Sequence, residues 1–268
     1  PDTSNADLTR TVNSLNQYIG LRDKVNFDSG TSNVFFKTKL TSITNRFCVN
    51  IDQGSNKKFG NFIDIDSMDK NNYAFTKLLF SDKNIDANME VGFKGNPNIG
   101  SVVLNQFVDS ADFQTFANTF QQGDRIFIIS SIFGGTGAAG FPLLLKNIRN
   151  APVHLTNGQV LKEAVIGAIT VLPYFGVSDD PESEIEMSTF MSKTRAALRY
   201  YEKNIVDNNS LNALYYVGDK VSKNYENNEG SINQKNDAHI VELLGALSIV
   251  DFALNDTLTT DTNGQAVN

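Results

Sequence analysis

Two glycine-rich stretches and one acidic stretch of this chain have residue types and spacings that could hold an anion. In SIFGGTGAAGFPLLLKNIR (131–149), Gly135, Gly137 and Gly140 fit G-x-G-x-x-G, and Thr136 adds a hydroxyl donor. Glycines let backbone N–H groups approach a ligand closely, and a helix starting here would present its positive end. GFKGNPNIG (92–100) is a turn-rich loop ahead of a second helix, and VLPYFGVSDD (171–180) follows a strand and ends in carboxylates. A dinucleotide fingerprint would need an acidic residue about 20 positions on, at the end of the next strand. That strand ends Val171-Leu172-Pro173-Tyr174, without one. A P-loop would need Lys-Ser/Thr where Phe141-Pro142 follow Gly140. A bare strand-to-helix turn would seldom need three glycines and a threonine in this order.

The run FGGTGAAG resembles the phosphate loop of the tubulin/FtsZ superfamily, G-G-G-T-G-S/T-G. Ser131 to Ala139 align without a gap on the tubulin S-L-G-G-G-T-G-S-G, and Asn147-Ile148-Arg149 closes the helix as Lys-Ile-Arg does there. Phe133 replaces the first glycine, and Ala138 replaces a Ser/Thr whose hydroxyl can aid phosphate contact. GFKGNPNIG is similar to the FtsZ loop G-A-G-A-N-P-E-V-G through Gly92, Asn96, Pro97 and Gly100, with Ile99 for Val. By that resemblance the amides of Phe93 and Gly95 face a γ-phosphate. VLPYFGVSDD resembles the ribose-facing tubulin stretch V-V-P-S-P-K-V-S-D through Val177, Ser178 and Asp179, with Glu182 or Glu184 as the acid that follows. Carboxylates suit a ribose because they accept from both hydroxyls. The base side matches least. YYVGDK (215–220) carries Gly218 where FtsZ has a purine-contacting asparagine. His239 falls where tubulins set an asparagine against guanine, and a histidine that merely opens the last helix is the alternative. PDTSNAD (1–7) resembles the loop after the second strand, which makes Asp2, Asn5 and Asp7 candidates for magnesium-water or phosphate-side contacts.

The resemblance implies a GTP-binding domain of bacterial tubulin type, with GTP or GDP and Mg2+ as ligands. The implied nucleotide contacts are Gly134, Gly135, Thr136, Gly137, Ala138, Phe93, Gly95, Asn96, Asp179, Glu184, Asn5 and His239. A methyl at Gly135 is expected to fill space the phosphate needs. In that family GTP sits at a head-to-tail subunit contact that builds oligomers or filaments, and an acidic loop of the next subunit completes hydrolysis. Here DFALNDTLTTD (251–261) matches the loop pattern N-x-D-x-x-D poorly, so Asn255, Asp256 and Asp261 are candidates only and no catalytic residue is assigned. The family's first strand and C-terminal domain have no counterpart, as in a fragment or a divergent relative. Two other functions stay open: a non-polymerising nucleotide-binding module of a larger regulatory protein, and an NAD(P)-dependent oxidoreductase. The base contacts do not separate guanine from adenine.

The elements that must position these loops follow from periodicity. Leu8, Val12, Leu15 and Ile19 recur at helical spacing after Ser4-x-x-Asp7, predicting an amphipathic helix that fades near Gly20. Alternation over 31–52 (Val34, Phe36, Ile43, Phe47, Val49, Ile51) predicts strands, and 52–72 reads as loop. Helices are expected over Tyr73–Phe80, Ser101–Val108, and from a Ser110 cap to Gly123. Residues 125–132 read as a strand feeding a helix to about Arg149, with Pro142 tolerable in a first turn that needs no N–H bond. Val165–Leu172 and Leu214–Val217 read as strands, Glu184 to about Asn204 and Asp237–Leu254 as helices. Such alternation predicts an α/β fold: a doubly wound, mostly parallel sheet with helices on both faces. It spans 1–255, with an irregular segment at about 25–90 and a polar tail, 256–268, expected to fray. In such sheets ligands collect at the carboxyl ends of the strands, where the 92–100, 133–140 and 173–184 loops should meet.

Bulk composition narrows the alternatives. The 268 residues suffice for one large α/β domain or two small ones. A net charge of -7 opposes nonspecific binding to nucleic acid or an anionic membrane. No apolar run nears the roughly 20 residues of a membrane span, and no secretory signal pattern is visible; cytoplasmic residence is the default expectation. The single cysteine, Cys48, lies in an apolar run and reads as core packing. His154 and His239 have no zinc-ligand spacing. Asp64, Asp66 and Asp69 begin like a calcium loop, but Asp69 and Phe75 occupy the positions that need glycine and glutamate, so a solvated acidic turn is expected.

Overall fold

β-branched and aromatic residues bunch in RIFIISS and VIGAITV, and both runs form strands. The computed structural model describes residues 6–25, 35–43, 47, 58–89, 92–93, 95–152, 155–178, 187–226 and 237–267. The first helices are α1 (Ala6–Lys24), α2 (Phe59–Phe62), α3 (Lys70–Leu79), α4 (Asp82–Ile85), α5 (Pro97–Leu104) and α6 (Ala111–Thr119). Strand β1 (Arg125–Ser131) then leads into α7 (Gly135–Arg149), α8 (Gly158–Lys162), β2 (Val165–Val171), β3 (Gly176–Val177) and α9 (Met187–Tyr201). The chain closes with β4 (Ala213–Val217), β5 (Asn224–Tyr225), α10 (Ile240–Leu254), β6 (Thr259–Thr260) and β7 (Ala266–Val267).

The protein is α/β, built on a parallel sheet. Among the described residues that sheet has three strands in the order β1-β2-β4. Arg125 pairs with Val165, and Ile169 with Tyr215, so the strands end together on one edge. Side chains alternate across the sheet. Ile128, Ile166 and Ala168 join Phe141, Leu145 and Ile148 of α7, together with Tyr201 and Ile205, in the main core. On the alternate positions Phe127 meets Phe252 of α10 at 5.2 Å between ring centroids, and Gly167 is glycine because that ring lies against it. A second core gathers Phe59, Ala87, Met89, Phe93, Ile99 and Val103. It sits beneath the 92–96 loop and fixes where that loop stands.

Several sequence expectations change. Pro142 is not in a first turn: α7 begins at Gly135, so the proline is interior. It cannot donate to the carbonyl of Ala138, four residues back; the Tyr201 hydroxyl donates to that oxygen instead, at 3.3 Å. Helix α1 runs through Gly20, where a side chain would meet nothing within 4 Å. Asp69 caps α3 by accepting from the N–H groups of Asn71 and Asn72, which hold its carboxyl below the usual range. Residues 35–43 and 47 contain no strand, and the rest of the 31–52 alternation, with Cys48, lies outside the described residues. The tail is paired over 259–267. Its strands β6 and β7 pair antiparallel, Ala266 N–H donates to Asn209 O at 2.7 Å, and the Asn212 amide donates to Thr259 O. No helix among the described residues is long and apolar enough to cross a membrane.

Candidate functional site at the carboxyl edge of the sheet

The glycine loop follows β1 at the carboxyl edge of the sheet, and the 92–96 loop leans directly on it. A methyl built at Gly135 would lie 2.9 Å from the Asn96 nitrogen and 3.0 Å from Phe93 Cβ. One at Gly92 would lie 3.3 Å from Thr136 Oγ1. Gly92 and Gly95 have φ of 92° and 71°, values that favour glycine and let the loop turn tightly before Pro97 starts α5. The structure thus brings together Phe93, Gly95 and Asn96 with Gly134 to Ala138.

It also revises the reason for the glycines. Gly135 leaves room for the 92–96 backbone, and Gly137 leaves room for Ser131, whose carbonyl oxygen would be 2.7 Å from an added methyl. Glycine here lets two polypeptide segments touch. The phosphate-space argument for Gly135 is therefore corrected: its Cβ direction is filled by protein. The capacity for an anion lies in the main chain. Neither α5 nor α7 has a side-chain cap hydrogen bond. The N–H groups of Gly135, Thr136 and Gly137 precede the first intrahelical bond, which runs from Ala138 N–H to Gly134 O. Two helix amino ends side by side each carry about half a positive charge.

Phe133, just ahead of the glycine loop, packs its ring among other aromatics. Its ring stands 5.5 Å from both Phe175 and Phe190, and the atoms nearest Gly135 and Gly137 belong to Phe93, Asn96 and Ser131. Phe93 contributes backbone only, since its side chain is buried in the second core.

From Phe133 an aromatic row crosses to the start of α10. Tyr174 contacts Phe175 at 5.1 Å, and His239 lies 4.7 Å from Tyr174. Parallel pairing of β3 with β5 ties the loop after β2 to the loop after β4. His239 Nδ1 accepts from Val241 N–H at 3.2 Å as the cap of α10, while Nε2 lies 3.8 Å from Asp219. Lys223 pairs with Asp237 just before α10, which raises the lysine pKa and lowers that of the aspartate. The ribose-side candidates Asp179 and Glu184, with Asp2 and Asn5, lie outside the described residues.

Sequence reasoning missed three contributors to this edge: Tyr174, Asp219 and Lys193. Lys193 of α9 donates from Nζ to Gly95 O at 2.6 Å, joining residues 98 positions apart. No local pattern signals such a contact.

The opposite, amino edge carries a cleft of about 510 Å³ lined by Gln122, Asp124, Arg125, Glu163, Thr260 and Asp261. Its carboxylates serve local turns: Asp124 accepts from Gln121 N–H, and Asp261 from the N–H groups of Asn263 and Gln265. Among the described residues no group of three His, Cys, Asp or Glu side chains could hold a metal ion.

No protein-family model, no curated protein and no solved structure matches the chain.

Proposed function

We propose that the carboxyl edge binds a mononucleotide through its polyphosphate, in the manner of a tubulin/FtsZ-like GTP-binding domain with a doubly wound sheet. The observation that carries the proposal is the abutment of the 92–96 loop on Gly135 and Thr136 at the amino ends of α5 and α7. Residues fit the group: the Gly135, Thr136 and Gly137 amides would hold the inner phosphates, Thr136 would add its hydroxyl, and Gly95 and Asn96 would reach the terminal one. The Tyr174–His239 side would take the base. GTP or GDP with Mg2+ is the proposed ligand.

Self-association and GTP hydrolysis completed by a neighbouring subunit extend the proposal, and two observations favour them unequally. Helix α10 leaves Ile240, Leu243, Leu247, Val250 and Leu254 more than half exposed at alternating three- and four-residue spacing. Monomers seldom leave such a stripe bare. The hydrolysis candidates lie at the amino edge, as head-to-tail stacking would need, since Arg125 at the start of β1 donates to Asn255 O at 2.7 Å. However, Asp261 is spent on its own turn. That favours the second reading, a non-polymerising nucleotide-binding regulatory module of a larger protein. An NAD(P)-dependent oxidoreductase finds no acid at the described end of β2 and ranks last.

Calorimetry on the 268-residue chain with GTP, GDP, ATP and NAD tests the proposal. Binding of GTP and GDP, weakened by Thr136→Val, is the expected result. Tight NAD binding with no uptake of GTP would overturn it.

A further inference from the structure

The glycine loop has one electrostatic shortcoming. A nucleoside triphosphate brings three to four negative charges to a protein whose net charge is already -7. Two helix ends supply only about one positive charge between them. The Mg2+ of the proposed ligand adds two more, which leaves up to about one negative charge for a side chain to offset. Phosphate loops that close on a lysine recruit it from the following helix turn, but Phe141 and Pro142 occupy that place here.

We infer that Lys193 supplies the offsetting charge, a lysine delivered from α9 to the terminal phosphate, so that the site prefers a nucleoside triphosphate over a diphosphate. The inference rests on the nucleotide-site proposal above and goes beyond it by assigning the residue that reads phosphate number. Three observations support it. Helix α9 is anchored at the site by Phe190, whose ring lies 5.5 Å from Phe133 of the glycine loop. The neighbouring Thr194 is buried and donates to Phe190 O at 2.7 Å, so this turn of α9 packs inward beside Lys193. Lys193 Nζ reaches Gly95 O at 2.6 Å. The ammonium therefore touches the 92–96 loop, the segment assigned to the terminal phosphate.

A donor and a charge act differently here, and the difference makes the inference testable. As a donor, Lys193 merely holds Gly95 O and shapes the loop for any nucleotide. As a charge, it acts on a ligand that places a phosphate beside that loop. Lysine serves phosphate as a point charge on a flexible stem, so Arg can replace the charge while Gln can replace only the donor.

The test is calorimetric titration of GTP and of GDP into the full chain and its Lys193→Ala, Lys193→Gln and Lys193→Arg variants, at two salt concentrations. Loss of the charge should weaken GTP binding about tenfold or more in both the Ala and Gln variants, with GDP changed less than about threefold. Arg should restore GTP affinity, and the salt dependence of GTP binding should flatten only in the uncharged variants. Equal loss of GTP and GDP affinity, or full GTP affinity in Lys193→Gln, would show a loop-holding donor and overturn the inference while leaving the nucleotide site intact. If the unmodified chain takes up no nucleotide, the site proposal and this inference fall together.

Discussion

Gly137 and Gly140 differ in what a methyl would meet, although the sequence motif treats them alike. At Gly137 the nearest atoms are the Ser131 carbonyl oxygen at 2.7 Å and its nitrogen at 2.9 Å, both backbone. At Gly140 the nearest is Leu104 Cδ1 at 3.3 Å, the end of a flexible side chain. Gly137→Ala should therefore lose about 1–3 kcal/mol in urea unfolding. Gly140→Ala should change stability by less than about 1 kcal/mol, helped by alanine's helix propensity. Equal losses would contradict these contacts. Tyrosine titration gives a second residue-scale check. Burial, then the Asp251 carboxylate that accepts from its hydroxyl at 2.6 Å, pushes Tyr215 up to about 12. A raised folded pKa means the neutral phenol is favoured by folding. The associated stability is complete below the unfolded value of about 10 and is lost as pH rises toward 12. Tyr215→Phe should remove part of that alkaline loss in pH-dependent melting; an unchanged profile would refute the link. At this scale the sequence announced Thr136 and its glycines but misjudged their reason. It also gave no sign of Lys193, because the partner of a side chain 98 residues away is written in no local spacing.

The helix that carries the glycine loop is held by a side chain of another helix. Pro142 deprives Ala138 O of its usual donor, and the buried Tyr201 hydroxyl supplies one. Tyr201→Phe should leave that carbonyl unpaired and cost about 1–3 kcal/mol. Pro142→Ala restores the N–H, so the tyrosine change should cost markedly less in that background. Additive effects across the double-mutant cycle would contradict the pairing. Arg149, at the other end of α7, donates to Ser210 O at 2.9 Å, Lys162 O at 2.9 Å and Ala164 O at 2.7 Å, while burial lowers its pKa to about 10. Element existence was legible wherever periodicity was long: β1, α7, β2, β4 and α10 lie within a few residues of expectation. Boundaries were not. The start of α7 at Gly135 places that residue against the 92–96 loop, a contact between distant segments. The tail was misread because its polar residues dock through backbone bonds, which composition does not reveal.

Across the whole molecule the sheet separates two poles. The carboxyl pole gathers the glycine loop, the 92–96 loop, the aromatic row and His239, drawn from segments spread over more than half the chain. At the amino pole Arg125 and Asn212 fasten the end of α10 and the tail hairpin to the strand starts. A parallel α/β sheet was legible from alternating strands and helices, and so was the edge on which the loops after β1 and β2 meet, because parallel strands end together there. Which loops touch, and through which atoms, depended on packing between distant segments. The most direct measurement is backbone amide NMR of the 268-residue chain titrated with GTP. The site proposal requires the largest shifts at Gly135, Thr136, Gly137 and the 92–96 loop. Saturable binding that leaves those amides unmoved, or shifts confined to the cleft around Arg125 and Glu163, would contradict it.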